Sequence, residues 1–117
     1  MSRQPLGDTE ILSLALRQLA DTVDERAIVG DASDSYTARL LEKGPLKCAK
    51  KLIEEAGELG LAVAAESEGE IAGEAADVIY HMLVALRSRG VSLEQVAAAL
   101  ISRQGMSGLE EKASREG

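Results

Sequence analysis

The stretch IAGEAADVIYHMLVAL, residues 71–86, decides the fold. Ile71, Ala72, Ala75, Ala76, Val78, Ile79, Met82, Leu83, Val84, Ala85 and Leu86 cover most of a helical circumference. A helix apolar nearly all round belongs in the middle of a bundle, not on its surface. Its polar exceptions form a narrow stripe of Glu74, Asp77 and His81, with Glu70 and Tyr80 at the margins. Carboxylates on such a helix are costly unless paired or bound to a cation. The stripe therefore demands a partner.

That partner lies upstream. Glu54-Glu55-x-x-Glu58 occupies a segment whose apolar residues, Leu52, Ile53, Ala56, Leu59, Gly60 and Val63, recur at helical spacing from Leu46 to about Glu66. On that helix the acids lie opposite the apolar stripe, where a solvated face with Lys50–Glu54 or Lys51–Glu55 pairs is the plainest reading. The buried-helix stripe shifts the balance. If Glu55 and Glu58 face Glu74 and Asp77, the crowded carboxylates need a positive charge between them, and hard divalent cations prefer oxygen ligands. A magnesium site follows, and through magnesium a phosphate-bearing substrate.

Further outward the chain reads as helices joined by short breaks. A helix beginning near Asp8, which is placed to cap it, runs to about Glu25, and 30–34 is turn-rich. A short helix runs from Ser35 to Lys43, and Gly44-Pro45 ends it and starts the next. Ser67-x-x-Glu70 and Ser92-x-x-Gln95 are capping boxes opening the fourth helix, to about Arg89, and a fifth, to about Arg103. Gly105 and Gly108 release a polar tail, Leu109 to Gly117. No strand-like alternation or repeat occurs. The expectation is an all-α bundle of four to five helices forming one domain over residues 1–117.

Composition narrows the function. The 117 residues carry a net charge of −7 and contain no Trp or Phe. Leu, Ala, Val and Ile must fill the interior, and an overall negative field disfavours nucleic acid as a partner. Cys48 is the only cysteine, which rules out an intramolecular disulfide and makes it a packing residue. No apolar run approaches about 18 residues and no signal peptide is evident, so a soluble, cytoplasmic setting is expected. Neither a P-loop nor a dinucleotide fingerprint is present. Lys43, Lys47, Lys50 and Lys51 form a basic segment beside the acids, suited to clamping polyphosphate next to a metal. His81 is expected to hydrogen-bond rather than ligate, because a bundle di-iron site needs Glu-x-x-His on two helices.

Ser35-Tyr36-Thr37-Ala38, Lys43-Gly44, Lys50-Lys51-Leu52-Ile53-Glu54-Glu55-Ala56-Gly57-Glu58, Glu74-Ala75-Ala76-Asp77-x-x-Tyr80-His81 and the tail Gly108–Arg115 together resemble the phosphoribosyl-ATP pyrophosphatases of histidine biosynthesis. The acidic pair alone marks the wider MazG-like, all-α nucleotide pyrophosphohydrolases. The resemblance implies magnesium-dependent hydrolysis of phosphoribosyl-ATP to phosphoribosyl-AMP and pyrophosphate by a homodimer. It implies metal ligation by Glu55, Glu58, Glu74 and Asp77, with Glu54 as a further ligand or a base for the attacking water. Ser35, Tyr36, Thr37, Lys112 and Arg115 become candidates for holding the ribose phosphates. The linker 28–34 lacks the proline often found there, and Ile53 replaces a common glycine. A dimer is also expected physically, since the fourth helix carries more apolar surface than its neighbours can cover. Two other readings remain: a house-cleaning MazG-like nucleoside triphosphate hydrolase, and a non-enzymatic helical oligomerisation module.

Overall fold

The computed structural model describes residues 5–104 and Arg115. Its five helices are α1 (Asp8–Val29), α2 (Tyr36–Lys43), α3 (Pro45–Ala65), α4 (Glu68–Ser88) and α5 (Leu93–Ser102), and no strand occurs among the described residues. The all-α expectation holds, with α1 running a turn further than its apolar pattern indicated.

Local chemistry places the helix ends. Gly7, not Asp8, is the N-cap of α1, and Asp8 sits in the first turn with Glu10, where negative charge favours the helix dipole. The Ser35 hydroxyl accepts from the Ala38 amide and caps α2. Gly44 joins α2 to α3 at φ 94°, a backbone region that costs glycine little, and Pro45 pre-sets the first turn of α3. Ser92 and Gln95 form the reciprocal capping box of α5. At Ser67 only half the box forms: its hydroxyl accepts from the Glu70 amide, and the Glu70 carboxylate takes the Ser67 hydroxyl proton instead of the backbone amide.

The helices α3 and α4, joined through Glu66 and Ser67, make the dominant packing pair, and α4 also touches α1 and α2. The core gathers at one end of this hairpin. Val23 of α1, Leu40 of α2, Cys48 of α3 and Leu83 and Val84 of α4 are buried together, with Leu19, Leu41, Ile79, Met82 and Leu93 packed against them. The Cys48 thiol donates to the Leu40 carbonyl at 3.3 Å, and burial pushes its pKa up. It is a packing residue, as expected.

Two expectations are corrected. The fourth helix is central, but it is not covered all round: Ala72, Gly73, Ala76 and Asp77 are exposed. The second concerns α3. Its inward face is Cys48, Lys51, Glu55 and Ala62, with Leu52 and Leu59 half-buried beside them. Glu55 therefore turns toward α4 with the exposed Glu58 beside it, while Ile53, Leu61 and Val63 are 71%, 71% and 63% exposed. The two α3 residues buried there, Cys48 and Ala62, are small. Leu40→Ala should destabilise the protein by about 2–4 kcal/mol, as loss of a fully buried leucine does, measured as a lower urea midpoint at unchanged m-value.

Candidate active site

From the core residues toward the α3–α4 turn, the hairpin carries the acids. Glu55 and Glu58 lie on neighbouring turns of α3, and Glu74 faces them from α4. One carboxylate oxygen from each comes within 4.8 Å of the others. Glu74 is half-buried, and its Oε2 is shut off from solvent with no hydrogen-bond partner. Burial, then the charges of Glu58, Asp77 and Glu55, push its pKa above the ordinary glutamate value. The repulsion extends toward the hairpin turn. Glu66 is pushed up by its hydrogen bond with Glu70, then by burial and by the charges of Glu70, Glu74 and Glu58.

A half-buried glutamate with one orphaned oxygen, standing in a group of converging acids, is what a hard divalent cation satisfies. Three oxygen donors leave room for waters or phosphate oxygens, the arrangement magnesium favours. Asp77 is exposed and stands outside the three-oxygen cluster, though its charge reaches Glu74. The reading of Asp77 as a buried carboxylate equivalent to Glu74 is thereby corrected: one helical turn along, α4 has already rotated it toward solvent. Glu54 also stands outside the cluster. Its Oε2 accepts from Lys51 Nζ at 3.1 Å, an i,i+3 pair in place of the i,i+4 pairs anticipated. That bond, followed by the charge of Tyr36, raises the Lys51 pKa. Lys43, Lys47 and Lys50 are exposed.

The Ser35-Tyr36-Thr37 segment divides its labour. Ser35 is occupied by capping, and Thr37 is buried with its hydroxyl against Tyr80 Oη. Tyr36 alone presents a substantially exposed side chain, 45% accessible, with its hydroxyl 3.4 Å from His81 Nε2. His81 is buried, and its Nδ1 lies 2.8 Å from the Asp77 carbonyl oxygen. Two hydrogen bonds, Tyr36–His81 and Thr37–Tyr80, thus clasp the start of α2 to α4. This clasp escaped the sequence reading. The available signal was that the chain's two tyrosines and single histidine fall into just two dipeptide-length segments. Arg115 is exposed, and Lys112 lies outside the described residues.

Residues 16–104 match the family described as phosphoribosyl-ATP pyrophosphohydrolase, a span holding the acid cluster, the lysines and the clasp. The chain belongs to this family. Its relatives include phosphoribosyl-ATP pyrophosphatase 1 of Rhodopseudomonas palustris, 57% identical over 86% of this chain and 94% of the relative. The protein of the same name from Bradyrhizobium diazoefficiens is 50% identical over the same shares, and phosphoribosyl-ATP pyrophosphatase of Erythrobacter litoralis is 49% identical over 86% and 95%. Membership of a pyrophosphohydrolase family removes the non-enzymatic reading.

The raised Glu74 pKa has a sign. A carboxyl whose folded-state pKa exceeds its unfolded value binds more protons when folded, so stability falls as pH rises from the ordinary glutamate range through the raised value. The protein in EDTA should therefore melt at progressively lower temperature across that window, and magnesium chloride should restore the loss above it. Glu74→Gln should flatten the decline, leaving the part due to Glu66, and should shrink the magnesium response in thermal melts.

Proposed function

We propose that the protein hydrolyses phosphoribosyl-ATP to phosphoribosyl-AMP and pyrophosphate, the second step of histidine biosynthesis, with magnesium as cofactor. The observation that carries the reading is the convergence of Glu55, Glu58 and Glu74 around an unpartnered carboxylate oxygen, in a chain of this family. These three residues would hold the ion, with Asp77 adding its charge from one turn along α4. A bound magnesium ion offsets charge on the phosphate oxygens and lowers the pKa of an attacking water.

The remaining chemistry belongs to side chains of α3. Glu54 is the proton acceptor for the water: its side chain is 58% exposed, and only one oxygen is taken by Lys51. The Glu54 hydrogen bond keeps Lys51 charged, so it offsets negative charge on the leaving pyrophosphate. Lys47 and Lys50, exposed on the same helix, extend this positive rim, with Lys43 at the end of α2. Lys112 and Arg115 are retained as holders of the ribose phosphates.

The working form is a homodimer of a single-domain chain in the cytoplasm. Ile53, Leu61 and Val63 on α3, with Leu100 and Ile101 on α5, leave more apolar surface than a monomer keeps in water, and a second copy covers it. Among the described residues no helix is long and apolar enough to cross a membrane. Light scattering should give the dimer mass at micromolar concentration, and Ile53→Glu should shift it toward monomer.

The decisive assay compares pyrophosphate release from phosphoribosyl-ATP with release from a panel of nucleoside triphosphates, with and without magnesium. Phosphoribosyl-ATP should be preferred and EDTA should abolish turnover; preference for dATP or dCTP would overturn the assignment. Glu74→Gln should lower kcat/KM by more than about 100-fold, beyond the 10–100-fold typical of residues that merely support a ligand.

A further inference from the structure

Every aromatic ring in this chain meets at one place. Tyr36, Tyr80 and His81 are the only tyrosines and the only histidine, and Trp and Phe are absent. The Tyr36 and Tyr80 rings stack at 6.3 Å, and His81 meets both edge-on, at 6.0 Å from Tyr36 and 4.9 Å from Tyr80. His81 continues the stripe of α4 that begins with Glu74 and Asp77, about 10 Å along the helix axis from Glu74.

Hydrogen-bond logic fixes what Tyr36 offers. The Asp77 carbonyl can only accept, so His81 Nδ1, 2.8 Å away, donates its proton there. In the neutral ring Nε2 is then an acceptor, and the Tyr36 hydroxyl, 3.4 Å away, donates to it. With its proton committed, the Tyr36 oxygen presents only lone pairs to solvent. Such a group repels a phosphate oxygen and welcomes a hydroxyl. This changes the role expected for Tyr36 as a holder of ribose phosphates.

We propose that Tyr36 accepts a hydrogen bond from a sugar hydroxyl of the bound nucleotide, and that His81 is the positioning residue that makes it an acceptor. The assignment rests on the reading of the acid cluster as the polyphosphate end of the site. A nucleotide anchored there by its phosphates runs its sugar along the α4 stripe toward Tyr36. The sugar hydroxyls are the donors nearest the phosphates. Tyr80, held by its hydrogen bond with Thr37, stacks against the Tyr36 ring.

The test is a cycle of protein and substrate changes. Wild type, Tyr36→Phe, His81→Gln and the double variant are assayed on phosphoribosyl-ATP and on its 2′-deoxy and 3′-deoxy forms at the adenosine ribose. Wild type should lose roughly 5–10-fold in KM on one deoxy form, the worth of one hydrogen bond. Tyr36→Phe should show that same loss on the parent substrate and no further loss on the deoxy form, with kcat within about threefold. His81→Gln should erase most of the discrimination while still melting cooperatively, and the double variant should be no worse than Tyr36→Phe. If His81→Gln does not fold, His81→Asn takes its place. Equal discrimination by wild type and Tyr36→Phe, including none by either, overturns the proposal; so does a further loss in the double variant. Absence of wild-type turnover on unmodified phosphoribosyl-ATP overturns the reading of activity beneath it, and is thereby told apart.

Discussion

Three carboxylates brought together by two packed helices, two of them half-buried and one exposed, are the constraint around which the rest of this molecule is arranged. Apolar contact brings α3 and α4 together at the core end, where Cys48, Leu83 and Val84 pack with Val23 and Leu40. Continuing the same two helices past the core carries Glu55, Glu58 and Glu74 into mutual range. The core thus holds in place an arrangement that repulsion alone would open. Its rigidity keeps Glu74 Oε2 unpartnered, because neither helix can rotate to reach solvent without breaking the packing at the other end. Strain of this kind is tolerated where a ligand relieves it, which would tie the proposed metal site to the hairpin instead of to any single residue.

The helices themselves were legible from residue order because their signals are local. Ser35, Gly44-Pro45 and Ser92-x-x-Gln95 each settle a boundary through contacts within three residues, and all three act where the sequence places them. The orientation of α3 was not legible. A helical wheel shows that Ile53 and Val63 lie opposite Glu55 and Glu58, but not which side meets the rest of the chain. The usual rule sends the apolar side inward. Here only its Leu52 and Leu59 edge turns partly inward, while Ile53 and Val63 go outward. The same ambiguity made α4 look buried throughout and lent Asp77 a burial that the fold gives only to Glu74.

The clasp between α2 and α4 was hidden for a different reason. Tyr36 and Thr37 are 45 and 43 residues from their partners, and hydrogen bonds over such separations leave no periodicity to read. Once formed, the clasp has an effect out of proportion to two modest bonds. It docks the start of α2 through polar groups at the point where the apolar core gives out, so the rim of the site is positioned by directional contacts. Directional contacts fix which atom donates, and this separates Tyr36 from Lys51, its charged neighbour across the rim.

These features together give the site a direction. Its acidic end lies toward the α3–α4 turn, its cationic rim runs along α3 through Lys51, and its aromatic end lies on α4 nearer the core. With a cation held by the acids, a phosphate chain would favour the first two and a sugar the third, so on the proposed reading a nucleotide would lie along the hairpin and not across it. The exposed apolar stripe of α3 lies on the opposite side of that helix from Glu55 and Glu58. A second copy seated on that stripe would stiffen α3 from behind without filling the space the phosphates need. The face that the apolar rule would have buried within one chain is therefore the face that leaves the acids free to work.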